Sequence, residues 1–416
     1  MADKKQVAEP PRMCSGCDLI DLMLGGAPGK RGLPFGVILS LIGDKSSGKS
    51  FLKNEMMAAS YWRYRDQFHW FSDDTESGDT FDTTGLYGVN LRPMDDDKCM
   101  RIGKNRVRDS ATVEELDAKL SMFIDYMNAV GGVGVYAVDS LDGLSDASRE
   151  AGEQKRLKLL EEGKAVQDPG DYGAQLAKFL SQQLFRVKHQ KLEDCQATLI
   201  LVSQLRENFG GGPYAPKWSV AAGKALEFYA HTRVFLRTIM KITRDGDIVG
   251  AYVEASTLKS KTPRPFRKVR YSVYFDYGID NIGSNLDYLY DLRDEKGALK
   301  KNAECIAWDG KADVNLANLQ SWLEKTGLKD ECRAAKKAAG QGSNLSVEFI
   351  KNWVSENPDR QKEYQLTFGQ THTRDELIAL MDKDKAMAAE LTRRVQEKWE
   401  AHEESIATKR GCKYGE

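Results

Sequence analysis

The chain has 416 residues, enough for two or three domains with cores of their own. Hydrophobic residues make up 41% and charged ones 30%, a globular balance, and no apolar run is long enough to span a bilayer. A net charge of −1 excludes a global polycation, and the charged opening MADKKQVAEPPR does not read as a secretory leader, so a cytoplasmic location is expected.

Cys14 and Cys17 form a C-x-x-C, but no second pair follows at zinc-site spacing, so reduced structural thiols are expected. The apolar run 37–42 reads as a buried strand. It feeds Gly43-Asp44-Lys45-Ser46-Ser47-Gly48-Lys49-Ser50, the pattern G-x-x-x-x-G-K-S, and then a helix-compatible stretch over 51–64. In such a loop the glycines let backbone N–H groups curl around an anion, and the helix N-terminus adds partial positive charge. Lys49 is expected to reach the β- and γ-phosphates of ATP, and Ser50 to hold Mg²⁺. A second short strand, 68–71, leads into Asp73-Asp74-Thr75-Glu76. Glu76 is the candidate for positioning an attacking water, with Asp73 and Asp74 as rivals.

Leu116, Leu120, Phe123 and Met127 recur at helical spacing and predict a helix over 112–130. The strand 133–138 ends at Asp139, a second candidate for ordering Mg²⁺. The polar connection 145–171 mixes lysines, arginines and glutamates and reads as an exposed amphipathic helix. A helix is expected over 174–192 and a buried strand over 197–202. Gln204 closes that strand, where an amide can bond the γ-phosphate and pass its loss to the following loop. That loop, 205–222, holds Arg206, Asn208, Phe209, Gly210, Gly211, Gly212, Tyr214, Lys217 and Trp218. Cations and rings interleaved with glycines suit single-stranded nucleic acid, and equally suit a bland surface loop. Residues 233–242 and 249–257 read as a hairpin around Arg244-Asp245-Gly246-Asp247. The run 259–270, KSKTPRPFRKVR, has six basic residues and no acid. Beyond about 283 short helical pieces dominate, 340–344 reads as a linker, and Thr373 with Glu376 makes a capping box. Leu377, Leu380, Met381, Ala388, Leu391, Val395 and Trp399 then lie along one helical face. Strands alternating with helices imply an α/β fold, a mostly parallel sheet covered on both faces.

Taken together, these residues resemble the RecA family of homologous-recombination ATPases over about 15–310. Leu22-Met23-Leu24-Gly25-Gly26 and Gly32-Leu33-Pro34-Phe35-Gly36 are similar to the family's lead-in to its first core strand. Ser46-Ser47-Gly48-Lys49-Ser50 resembles its phosphate loop, Asp74-Thr75-Glu76 the segment carrying its catalytic glutamate, and Val138-Asp139-Ser140 its Mg²⁺-ordering strand end. Asp171-Tyr172-Gly173 resembles the end of the family's first DNA-binding loop. Gln204-Leu205-Arg206 and Gly223-Lys224-Ala225-Leu226-Glu227-Phe228-Tyr229-Ala230 resemble the entry and exit of its second. Lys259-Ser260-Lys261 with Pro265-Phe266 resembles the paired lysines that reach a neighbouring subunit's nucleotide. Gly297-Ala298-Leu299-Lys300 with Trp308 and Gly310 resembles a later turn.

The resemblance implies a RecA-like P-loop NTPase core over 14–282, after a short N-terminal segment 1–13 and before a mainly helical C-terminal domain 283–416. It implies ATP and Mg²⁺ as cofactors, with Glu76, Lys49, Gln204, Lys259 and Lys261 catalytic. Lys178, Ser181, Arg206, Asn208, Phe209, Gly210, Gly211, Lys217 and Trp218 would meet DNA. The expected activity is a DNA-dependent ATPase that polymerises on single-stranded DNA, pairs it with a second duplex and promotes strand exchange. A filament is favoured over a ring. The alternatives are a ring helicase or translocase of the same fold, and an ATP-switched assembly module without DNA. Four departures stand out: few residues precede Cys14, the first loop is longer than usual, Glu227 replaces an interface lysine, and the C-terminal region is larger and lacks an acidic tail.

Overall fold

Five of the apolar runs line up as parallel strands in the computed structural model, which describes residues 10–26, 29–76, 81–145, 186–207, 218–219, 223–262, 264–304, 306–308, 314–368 and 371–407. The chain divides into two compact units, Met1–Asn281 and Ile282–Glu416.

In the first unit the parallel strands are β1 (Ile38–Gly43), β2 (Phe68–Asp74), β3 (Val133–Asp139), β4 (Ala197–Gln204) and the first part of β5 (Thr232–Arg244). Antiparallel β6 (Asp247–Ser260), β7 (Lys268–Tyr274) and β8 (Gly278–Asp280) extend one side, giving the order β8-β7-β6-β5-β1-β4-β3-β2. Every residue of β1 is buried. A strand covered on both faces reads as a continuous apolar run rather than an alternation, which is why 37–42 was legible without periodicity. The β5–β6 turn is Asp245-Gly246, both at positive φ (52° and 91°), the two-residue geometry that matches strand twist.

Helices α1 (Asp18–Gly25), α2 (Lys49–Tyr64), α3 (Val113–Val130), α4 (Arg186–Asp194) and α5 (Gly223–Tyr229) belong to the same unit. Thr112 caps α3 by accepting from Glu115 N at 3.3 Å. The α3 stripe Leu116, Leu120, Phe123, Ile124 and Met127 enters one core cluster with Phe71, Tyr136, Val138, Leu199 and Leu201. Truncating such a side chain, for example Leu120→Ala, costs about 3 kcal/mol. Of the helix expected over 174–192 only its end, from Arg186, lies in the described residues, and it runs on to Asp194.

The second unit is mainly helical. Helices α6 (Leu316–Lys325), α7 (Lys329–Ala338), α8 (Val347–Glu356) and α9 (Pro358–Phe368) bury Leu319, Trp322, Leu323, Cys332, Ile350, Trp353 and Phe368 together. Residues 340–344, expected as a linker, are a short connection inside this bundle, and Lys336 Nζ donates to the Asn344 carbonyl. The capping box at Thr373 and Glu376 is present. The long apolar face expected beyond it is broken into α10 (Arg374–Lys383) and α11 (Lys385–Ser405), because the Asp384 side chain accepts from Ala386 N and Met387 N and so starts a new helix. Leu380 falls off the buried stripe and is 41% exposed, whereas Leu377, Met381, Leu391, Val395 and Trp399 are buried. Asp287 is gripped by Arg293 Nε at 2.6 Å and Arg374 Nε at 2.7 Å, a buried carboxylate with two cationic partners.

Candidate functional site

Register places the chemistry. Gly43 pairs with Gln204 on one side and Leu236 on the other, and Asp74 pairs with Asp139. These strand ends finish on one edge of the sheet, the carboxyl edge, where open α/β sheets bind ligands beside a reversal of strand order.

After Gly43 the chain turns through Ser46 (φ 58°) and Gly48 (φ 87°) and enters α2 at Lys49. A Cβ on Gly43 would lie 2.4 Å from the Leu236 carbonyl oxygen and 2.5 Å from Ser47 Oγ, so β1 could not end here with any larger residue. Lys49 is 7% exposed, and its Nζ donates to the Gly43 and Asp44 carbonyls at 2.9 and 2.6 Å. Burial pulls its pKa below the usual lysine value, opposed by Asp139, Asp44, Asp142 and Glu76. Ser47 Oγ is buried without a hydrogen-bond partner. A pocket of about 360 Å³ opens over this turn, lined by Lys45 to Ser50, Glu76, Asp139, Ser140 and Gln204. Its outer wall carries Phe51, Phe81 and Phe275. The Phe51 ring meets Phe81 edge-on at 4.7 Å and is stacked on Phe275 at 6.2 Å.

The acidic rivals separate cleanly. Asp73 is fully buried and accepts from Ser110 N, Ser110 Oγ and Tyr136 OH, each at 2.7 Å. Asp74 is paired with Arg92 at 2.7 Å. Both are committed to holding β2 in place. Glu76 alone of the three lines the pocket, where Ser140 Oγ donates to its Oε1 and Gln204 Nε2 donates to the same oxygen at 3.2 Å. Gln204 N in turn donates to Asp142 Oδ2 at 2.7 Å. Ser50 and Asp139 supply a hydroxyl and a carboxylate to one pocket, a hard oxygen set that fits Mg²⁺ shared with phosphates. Asp139 Oδ2 also lies 3.0 Å from Lys53 Nζ, on the next turn of α2, and Lys53 is completely buried.

Sequence reasoning missed Lys53, Asp142, the aromatic wall and the contact of Ser140 with Glu76. A lysine beside Leu52, Met56 and Met57 on the buried face of α2 was the available signal, since lysines are rarely fully buried unless paired.

Lys259 and Lys261 are not in this pocket. Ala255 of β6 faces Leu236 beside the phosphate loop, whereas Ser260 faces Thr232 at the far end of the pairing. Lys261 therefore lies about 20 Å along the strand direction from the loop, beyond the reach of its own side chain. Lys259 Nζ donates to the Glu227 and Phe228 carbonyls at 2.5 and 2.7 Å, and burial and the neighbouring Lys261 charge lower its pKa. Glu227 pairs with Arg233 at 2.8 Å, and Phe228 is 72% exposed.

Beyond Gln204, Arg206 pairs with Ser219 and Glu207 with Trp218 as a two-rung antiparallel ribbon. Asn208, Phe209, Gly210, Gly211 and Lys217 lie outside the described residues, as do Lys178, Ser181 and most of the 145–171 connection. The thiols of Cys14 and Cys17 are pushed up by burial to about 11 and about 12, the state of inert structural cysteines, and the described residues contain no metal-binding His/Cys/Asp/Glu cluster. Among the described residues no helix is long and apolar enough to cross a membrane.

Comparison with known proteins gives one direction. The family described as RecA N-terminal domain matches residues 161–280. Protein RecA of Nocardia farcinica is 25% identical over 335 residues, covering 79% of this chain and 84% of the relative. Protein RecA of Sulfurovum sp. is 26% identical over 331 residues, with the same two shares. Protein RecA of Helicobacter pylori is 26% identical over 296 residues, 71% of this chain and 75% of the relative.

Proposed function

The chain belongs to the RecA family, recombinases and DNA-dependent ATPases as a class, and from that premise we propose that it polymerises on single-stranded DNA with ATP and promotes pairing and strand exchange with a second duplex. The observation that carries this reading is the separation of the pocket from the lysine pair. The pocket sits at the carboxyl edge of the sheet, and Lys261 follows the end of β6 about 20 Å away toward the amino edge. A residue that serves a nucleotide but cannot reach its own must serve a neighbour's. Pocket of one subunit against lysines of the next is a heterologous contact, which builds a head-to-tail polymer.

Within one subunit the roles divide by position. Backbone N–H groups of the loop and Lys49 hold the phosphates at the α2 N-terminus. Phe51, Phe81 and Phe275 offer ring faces to the base. Ser50 and Asp139 would hold Mg²⁺, which when bound would supply charge neutralisation to the phosphates. Glu76 orients and deprotonates the attacking water. Its Oε1 is shared with Gln204, so a change at the γ-phosphate is felt at the root of the loop that carries Arg206 and, beyond it, Phe209, Lys217 and Trp218. Lys261, with Lys259 beside it, stabilises the charge of the neighbour's transition state as a cationic finger does.

The test is ATP hydrolysis with and without single-stranded DNA at low salt, with negative-stain microscopy of the same mixtures. Stimulation by DNA together with open filaments is expected. Hydrolysis indifferent to DNA, or closed rings alone, would overturn it.

A further inference from the structure

Lys53 is not needed to bind phosphate, yet it is the most deeply placed charge beside the pocket. Its Nζ is 3.0 Å from Asp139 Oδ2, and the side chain is 0% exposed. It sits four residues after Lys49, so both lysines rise from the same face of α2 at successive turns. A fully buried ammonium on a packed helix has no route to solvent and stays beside its carboxylate whatever enters the pocket.

Around the pocket three lysines, Lys45, Lys49 and Lys53, face the carboxylates of Asp139 and Glu76, with Asp44 and Asp142 close enough to act on Lys49, so lysine charge already offsets most of the carboxylate charge. Divalent-cation affinity follows the negative charge of the ligand set. An aspartate that has given one oxygen to a fixed ammonium offers Mg²⁺ less. The phosphates, in turn, meet lysine charge that is present before any metal arrives.

We propose that Lys53 is a built-in counter-cation for Asp139, so that nucleotide binding at this site depends only weakly on Mg²⁺. This rests on the nucleotide reading of the pocket.

The experiment titrates a fluorescent ADP analogue into the full chain in excess EDTA and again in excess Mg²⁺. For the wild-type chain the two dissociation constants are expected within about tenfold of each other, and a larger ratio overturns the proposal. Lys53→Met keeps the volume and removes the charge, and is expected to widen the ratio by about tenfold, with an unchanged ratio counting against the proposal. If circular dichroism shows that variant unfolded, Lys53→Thr, which leaves room for water at Asp139, takes its place. No binding in either condition would instead remove the nucleotide reading itself. Because the readout is binding, a defect in turnover does not enter.

Discussion

Mixing two inactive variants tests whether each nucleotide is served by two subunits. Lys49→Ala disables the phosphate loop, and Lys261→Ala removes a cation that lies about 20 Å of strand from that loop, where a side chain of about 6 Å cannot close the gap within one chain. Each homogeneous variant is expected to lose turnover by about 100-fold or more, the scale of removing one preorganised charge from a transition state. In an equal mixture a working junction needs an intact loop on one subunit and an intact lysine on the next, and random head-to-tail assembly supplies that at about one junction in four. The DNA-stimulated ATPase rate of the mixture should therefore recover to about a quarter of wild type, although neither component is active alone. A mixture no more active than its parts would refute the shared site. So would wild-type turnover by Lys261→Ala. Lys261 is the better probe of the pair, because Lys259 holds the Glu227 and Phe228 carbonyls and its loss also loosens α5.

Three further outcomes are expected. Glu76→Gln should bind ATP normally and lose about 100- to 10,000-fold in turnover, measured by nucleotide binding and steady-state hydrolysis side by side; retained turnover would pass the role to another group. Tyr136→Phe removes a hydroxyl from buried Asp73 and should lower stability by about 2 kcal/mol in denaturant unfolding while leaving the ATPase pH profile in place. A changed profile at unchanged stability would restore Asp73 as a catalytic candidate. Glu55, pushed up to about 7 by burial, binds its proton more tightly folded than unfolded, so its penalty on stability is absent below about pH 4.5, grows as pH rises toward 7 and is constant above. Glu55→Gln should therefore be neutral near pH 4.5 and stabilising by about 3 kcal/mol at pH 8, and equal effects at both pH values would contradict the burial argument.

The parts of this molecule that were legible in the sequence are those where local chemistry decides structure. Buried strands announce themselves as unbroken apolar runs, the loop at Gly43 to Ser50 by glycines that its turn requires, and Thr373 with Glu376 by reciprocal caps. The α10–α11 break was missed because an apolar face continues across it in projection, while Asp384, reading as one more polar residue, restarts the helix. Among the acids, proximity in sequence kept Asp73 and Asp74 as rivals to Glu76. Only the partners on distant segments, Ser110, Tyr136 and Arg92, show that two of the three are structural. The burial of Lys53 left a signal in the apolar residues around it, but its pairing did not, since its partner, Asp139, is at the end of a distant strand.

The ribbon of Arg206 and Glu207 against Trp218 and Ser219 fixes a length. Antiparallel partners stand about 5 Å apart, so both roots of the intervening ten residues are tied together a few residues from Gln204. Ten residues joining ends so close cannot reach more than about 18 Å from the stem. In the proposed DNA complex, any strand gripped by Phe209 or Lys217 would therefore lie within that radius of the stem, plus a side chain's length. In the proposed polymer the distance between DNA and nucleotide would thus be bounded by how many residues the loop contains, and lengthening the loop would raise that bound before it changed a single contact.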